Sequence, residues 1–97
     1  MRYAYTDLGR QREGATAIVR WGSSSARVML FDPVNFSKYV ERLPSHCETG
    51  GRYRSSPARL SIPQDGQWYV VVDLGHHTSR PPSVEVQEPE PAEPQPA

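Results

Sequence analysis

The stretch IPQDGQWYVVVDLGHH, residues 62–77, decides the fold. Trp68 to Val72 is apolar at every position and includes three consecutive valines, the pattern of a central strand covered on both faces. Pro63 closes the strand before it, Asp65 and Gly66 supply a tight turn with positive φ, and Trp68 starts the next strand with a large apolar contribution. Asp73 and the His76–His77 pair follow at the end. DLG occurs here at 73–75 and again at 7–9. At both places it is expected to mark a strand end, where the Asp accepts backbone N–H bonds and the Gly permits a left-handed turn.

Working outward, short apolar runs recur along the chain, each closed by Gly, Pro, Asn, Asp or Ser. Arg2 to Thr6 reads as a first strand with Tyr3 and Tyr5 on one face, followed by a turn over DLGRQREG. Ala15 to Trp21 is a second. Ala26 to Phe31 is a third, with Val28 and Leu30 on one face and Arg27 and Met29 on the other. The flexible GSSS between the second and third suggests a hairpin. Ala58–Ile62 and Gln67–Asp73 flank the PQDG turn, and Ser83–Gln87 turns Val84 and Val86 inward and Glu85 outward. The polar stretch from Ser45 to Ser56 is a long loop or a weak edge strand at GRYR.

One segment carries a helical period instead. Asp32 stands in N-cap position with Pro33 in the first turn, and Phe36, Tyr39, Val40 and Leu43 recur at helical spacing before Pro44. This short amphipathic helix is expected to cap one end of the sheet. Together these elements predict an all-β domain, a single β-sandwich or jelly-roll-like fold of six to seven strands with one short helix. Its expected bounds are residues 1–87. Residues 88–97, EPEPAEPQPA, alternate Pro with Glu or Ala, which cannot build a core and predicts a disordered, partly polyproline tail serving as a tether.

Composition narrows the function. The 97 residues carry 11 basic and 11 acidic side chains, and three of the acidic ones, Glu88, Glu90 and Glu93, lie in the tail. The remaining net charge of +3 over residues 1–87 is far below that of a dedicated nucleic-acid binder. Cys47 is the one cysteine, so no intrachain disulfide forms. The start MRYAYTDLGRQREG has no apolar signal-like region and no window is long enough to span a bilayer, so the expectation is a cytoplasmic protein without membrane contact.

These residues resemble a known family. YTDLG near the start, FDPVNFSKY in the middle, and SPARLSIPQDGQWYVVVDLG together are similar to the bacterial DUF1883 domain. Its members share an early DLG, a D-x-x-N-[FY]-x-x-[FY] segment and a closing S-P-x-x-[LI]-x-[IV]-P-x-x-G-x-W-[YF]-V-V-V-D-L-G. The likeness runs over roughly residues 3–87. It implies a mainly β domain, standing alone or attached to TIR-type domains, that senses or binds on behalf of an effector. It brings no catalytic residues. The chain departs from the family pattern at Pro44, His46 and Cys47 within ERLPSHCETGGRYRS, and at HHTSRPP, where a glycine-rich linker is expected.

Several residues invite a chemical role. His46, Cys47, Asp73, His76 and His77 hold zinc-type donor atoms, but adjacent histidines on an extended loop point apart and no C-x-x-C or H-x-x-x-H accompanies them. No metal or other cofactor is expected. Cys47 beside His46 lacks the geometry and the Gly-rich elbow of a nucleophile, so no enzyme is expected either. The best binding candidates are Arg52, Tyr53, Arg54 and Arg59, with Ser55 and Ser56 nearby. An edge strand armed with charge against aggregation explains the same arginines.

The expected function is a non-enzymatic interaction or ligand-sensing module with an unidentified protein partner, met through a donated strand or by self-association at an open edge. Three alternatives stand beside it, one of them a small enzyme or metal protein that would need His46, Cys47, His76 and His77 to come together. Nucleic-acid or phosphate binding would use the Arg52–Arg59 stripe with Tyr53 stacking. Carbohydrate binding would need Trp21, Trp68 or Tyr69 exposed in a groove.

Overall fold

Three consecutive valines in one strand require apolar cover on both sides, and the architecture supplies it. In the computed structural model, which describes residues 3–22, 25–74 and 81–89, seven strands and one helix follow the chain. They are β1 (Ala4–Gln11), β2 (Thr16–Arg20), β3 (Ala26–Phe31), α1 (Pro33–Val40), β4 (Thr49–Tyr53), β5 (Ala58–Ser61), β6 (Gly66–Asp73) and β7 (Ser83–Gln87). Two antiparallel sheets result, one in the order β1-β6-β3-β4 and the other β5-β2-β7. The protein is an all-β sandwich with one short helix, as its alternation predicts.

The core lies between the sheets. Trp68, Val70 and Val72 of β6 meet Val28 and Leu30 of β3, Ala17 and Val19 of β2, and Leu60 of β5, all at most 3% exposed. Full burial of each large side chain contributes about 1.5–3 kcal/mol. Trp68, 1% exposed, has its indole N–H donating to the Gln64 carbonyl at 3.0 Å, so its polar edge is satisfied inside the core. Among the described residues no polar side chain is buried.

The opposite face of the four-stranded sheet carries a second apolar group. Met29, Phe31 and Val71 alternate with the core residues and are covered by Phe36 and Tyr39 of α1. The helix therefore lies on the outer face of the sheet instead of capping its end, because β3 and β6 are apolar on both sides and a single inter-sheet core covers only one. It also ends at Val40, before Leu43. Asp32 caps it, its carboxylate accepting the Asn35 N–H at 2.7 Å, with Pro33 in the first turn.

Two further expectations are corrected. Strands β2 and β3 do not form a hairpin: β2 pairs with β5 and β7, and β3 with β4 and β6. The chain crosses from one sheet to the other between them, so that Ala17 and Val19 oppose Val28 and Leu30 across the core and not along a ladder. The first strand also runs past DLG to Gln11. Its register shifts between Asp7 and Gly9, leaving Leu8 as an extra residue turned to the core. Asp7 does accept the Gly9 N–H at 2.8 Å, and Gly9 has φ 69°, so DLG has the expected local chemistry within a bulge and not at a strand end.

The polar stretch after α1 contains the edge strand β4, and β7 turns Val84 and Val86 to the core as its alternation predicts. Residues 90–97 of the tail, the His76–His77 pair and the second DLG glycine, Gly75, lie outside the described residues.

Candidate functional site

The outer face of the four-stranded sheet is where α1 leaves a gap. A cleft of about 420 Å³ opens beside the C-terminal end of the helix, lined by residues from four separate parts of the chain. Met29 and Phe31 of β3 supply its apolar floor, Tyr3 and Tyr39 an aromatic wall, and Arg27, Arg42, Ser45 and Cys47 its polar groups.

Local chemistry positions each group. Tyr3 meets Tyr39 edge to face at 5.1 Å, and Tyr39 is tilted against Phe31 at the same separation, so three rings brace one another. Arg42 is placed by the way the helix stops. The Leu43 N–H donates to the Lys38 carbonyl at 2.8 Å and the Arg42 N–H to that of Tyr39 at 3.1 Å, a Schellman closure with Arg42 in the left-handed conformation at φ 62°. Glycine is the usual residue there, and an arginine costs about 1 kcal/mol or more of backbone energy. The loop beyond is tied back by Asn35. Its side-chain amide donates to the Asp32 carboxylate, and its oxygen accepts the His46 N–H at 2.9 Å. Cys47 thereby comes to line the cleft, whereas His46 is exposed and takes no part in the lining.

The electrostatics are uneven. Across the sheet, Arg27 stands opposite Asp73 of β6 on one side and Arg52 of β4 on the other. Among the described residues no carboxylate belongs to the cleft lining. Among the described residues neither Arg27 nor Arg42 is held in an ion pair, whereas Arg20 and Glu85 form one at 3.4 Å on the three-stranded sheet. The Tyr39 hydroxyl is pushed above its ordinary pKa of 10.0 by burial, then by the negative charge of Asp73 and by Tyr3, with Arg27 opposing. Tyr39 therefore remains a neutral phenol at neutral pH.

The four residues singled out from the sequence are dispersed. Arg52 is exposed on β4, across from Arg27. Tyr53 turns inward against the core and meets Trp21 at 6.4 Å. Arg54 lies in the bend after β4, and Arg59 points outward from β5 in the other sheet, between core residues Ala58 and Leu60. Arg52 and Arg59 thus stand on opposite outer faces, because β4 and β5 enter different sheets. Trp68 is core, and Tyr69 lies beneath Phe36. Among the described residues no three potential metal ligands cluster.

What the sequence reading missed is the pair Arg27 and Arg42, with Tyr3 and Tyr39. The signal was faint but present. Arg27 interrupts the otherwise apolar outer face of β3, and Tyr3 with Tyr39 are aromatic residues that the sandwich core does not use.

Fold and cleft together define an antiparallel β-sandwich with a pocket beside the helix on one outer face. The chain belongs to the family described as Domain of unknown function (DUF1883), whose model matches residues 1–90. The motifs that carry the resemblance have structural causes in this chain. In D-x-x-N-F-x-x-Y, Asp32 caps, Asn35 anchors the loop, Phe36 covers Tyr69 and Tyr39 walls the cleft. In the long closing motif, Ser56 accepts the Trp21 N–H at 3.0 Å and Trp68 fills the core. No curated protein and no solved structure matches the chain. Among the described residues no helix is long and apolar enough to cross a membrane.

Proposed function

We propose that this chain is a non-enzymatic ligand-sensing module whose receptor site is the cleft between the C-terminal end of α1 and the outer face of the four-stranded sheet. One observation carries the reading: an apolar floor, an aromatic wall and two arginines converge on a single cavity of about 420 Å³. That volume falls within the range of small-molecule pockets, and the lining mixes apolar surface with convergent polar groups. A bound molecule would touch α1, β3 and the loop holding Cys47 at once, so occupancy would stiffen that face and present it to a protein partner. The module is assigned to the cytoplasm, in keeping with a lone thiol and no intrachain disulfide.

Cys47 offers the test, because the chain has one cysteine and it lines the cleft. Its alkylation by iodoacetamide is followed in the presence of fractionated small molecules from a bacterial lysate. At least one fraction is expected to slow the reaction, and a Cys47→Trp variant, with the cleft filled, to bind nothing from that fraction. A rate indifferent to every fraction would refute the proposal.

A further inference from the structure

We infer that the cleft takes a small aromatic anion: a flat ring body seated on Met29, Phe31 and the tyrosines, with one carboxylate or phosphate held between Arg27 and Arg42. The inference rests on the cleft being a ligand site and adds the class of ligand.

The charge argument comes first. Arg27 and Arg42 reach the same cavity from a strand and from a helix terminus, and among the described residues no acidic side chain lines it and neither guanidinium has an ion-pair partner. Arg52 stands on the far side of Arg27 in register, so the single carboxylate opposite Arg27, Asp73, faces a local excess of positive charge. Two guanidiniums with open donors suit a planar or tetrahedral oxyanion, which each can bind through paired N–H groups.

The body of the ligand follows from the walls. Tyr3, Tyr39 and Phe31 form a contiguous aromatic surface in edge and tilted contacts, the arrangement against which a further ring packs well. Val40 and Leu43, 45% and 51% exposed, extend the apolar surface to the rim. A free inorganic anion would leave all of this unused, and a neutral hydrocarbon would leave the arginines unused.

The test compares two fluorescent probes that share one body. 8-Anilinonaphthalene-1-sulfonate carries the anion and N-phenyl-1-naphthylamine lacks it. The sulfonate is expected to bind one equivalent at least about tenfold more tightly than the neutral amine, and Arg27→Gln with Arg42→Gln to remove about that factor for the sulfonate alone. Both arginines are exposed, and an unchanged urea midpoint checks that the variant is folded. Competition with 1-naphthoate and 1-naphthyl phosphate then ranks carboxylate against phosphate, with neutral 1-naphthol as the weak competitor.

Equal affinity for both probes, unmoved by the arginine changes but lost in Cys47→Trp, would overturn the anion while leaving the cleft as a ligand site. Binding unaffected by Cys47→Trp, or no saturable binding of either probe, would overturn both.

Discussion

The ring of Phe36 lies flat on that of Tyr69, their centroids 4.1 Å apart and their planes within 3°. This stack fastens α1 to the central strand of the four-stranded sheet, and Tyr5 adds a tilted contact to the same Phe36 ring at 5.1 Å. Since α1 has no fully buried residue, half-buried rings carry its attachment. Phe36→Ala is expected to cost about 2 kcal/mol, less than for a fully buried Phe because the site is partly open to solvent. Urea unfolding measures it, and near-ultraviolet circular dichroism should weaken in parallel. An unchanged midpoint would mean that the helix is held by something else.

Gly50 sets a stricter demand. It sits on β4 opposite Met29 with φ 149°, and a Cβ placed there would collide with the Val28 carbonyl oxygen and approach the Met29 Cα to 2.9 Å. Its neighbour Gly51 has a similar φ of 155° but open space around it. Gly50→Ala should therefore lose about 3 kcal/mol or more, and Gly51→Ala only about 1 kcal/mol from its glycine-favouring backbone conformation. Comparable losses at the two positions, in paired denaturation curves, would contradict the close approach of β4 to β3.

Arg42 separates stability from binding. Its left-handed conformation at the helix end favours glycine, so Arg42→Gly is expected to raise stability by up to about 1 kcal/mol while weakening binding of the anionic probe. A variant both less stable and unchanged in binding would show that the guanidinium serves the helix terminus and not the cleft.

Tyr39 predicts a pH dependence with a definite sign. Burial raises its pKa, so the folded protein holds the phenolic proton more tightly than the unfolded chain does. Its contribution to stability is full below the unfolded value near 10.0 and is lost as pH rises through the higher folded value. The difference in phenolate absorbance between wild type and Tyr39→Phe isolates its titration from the other tyrosines. Asp73→Asn should bring it back toward 10.0 by removing a neighbouring negative charge, and Arg27→Gln should push it higher. Titration at the ordinary value would contradict the packing of Tyr39 against Tyr3 and Phe31.

Local features read correctly from sequence are those with local causes. The N-cap of α1 is a contact between Asp32 and Asn35, three residues apart, and DLG at 7–9 closes an Asp-to-amide bond across two residues. The bulge that DLG makes could not be read there, because a register shift exists only relative to Trp68 and Tyr69 of a partner strand. The placement of the arginines was not legible for a related reason: Arg52 and Arg59 are close in sequence, yet a crossing between sheets separates them.

By itself, then, the sequence determined which residues of β3, β6 and β7 turn inward and where the helix begins, since alternation, β-branching and capping act over a few residues. It also determined that β6 must be covered on both faces. The tertiary structure alone decided that β2 pairs with β5 and β7 and not with β3, and that Tyr3, Arg27, Tyr39, Arg42 and Cys47 share one cleft. The physical reason is that any two antiparallel strands with matching alternation can form much the same hydrogen-bond ladder. Only the simultaneous filling of the core between the sheets and the covering of the outer face by α1 selects one pairing, and the cleft is the space which that selection leaves.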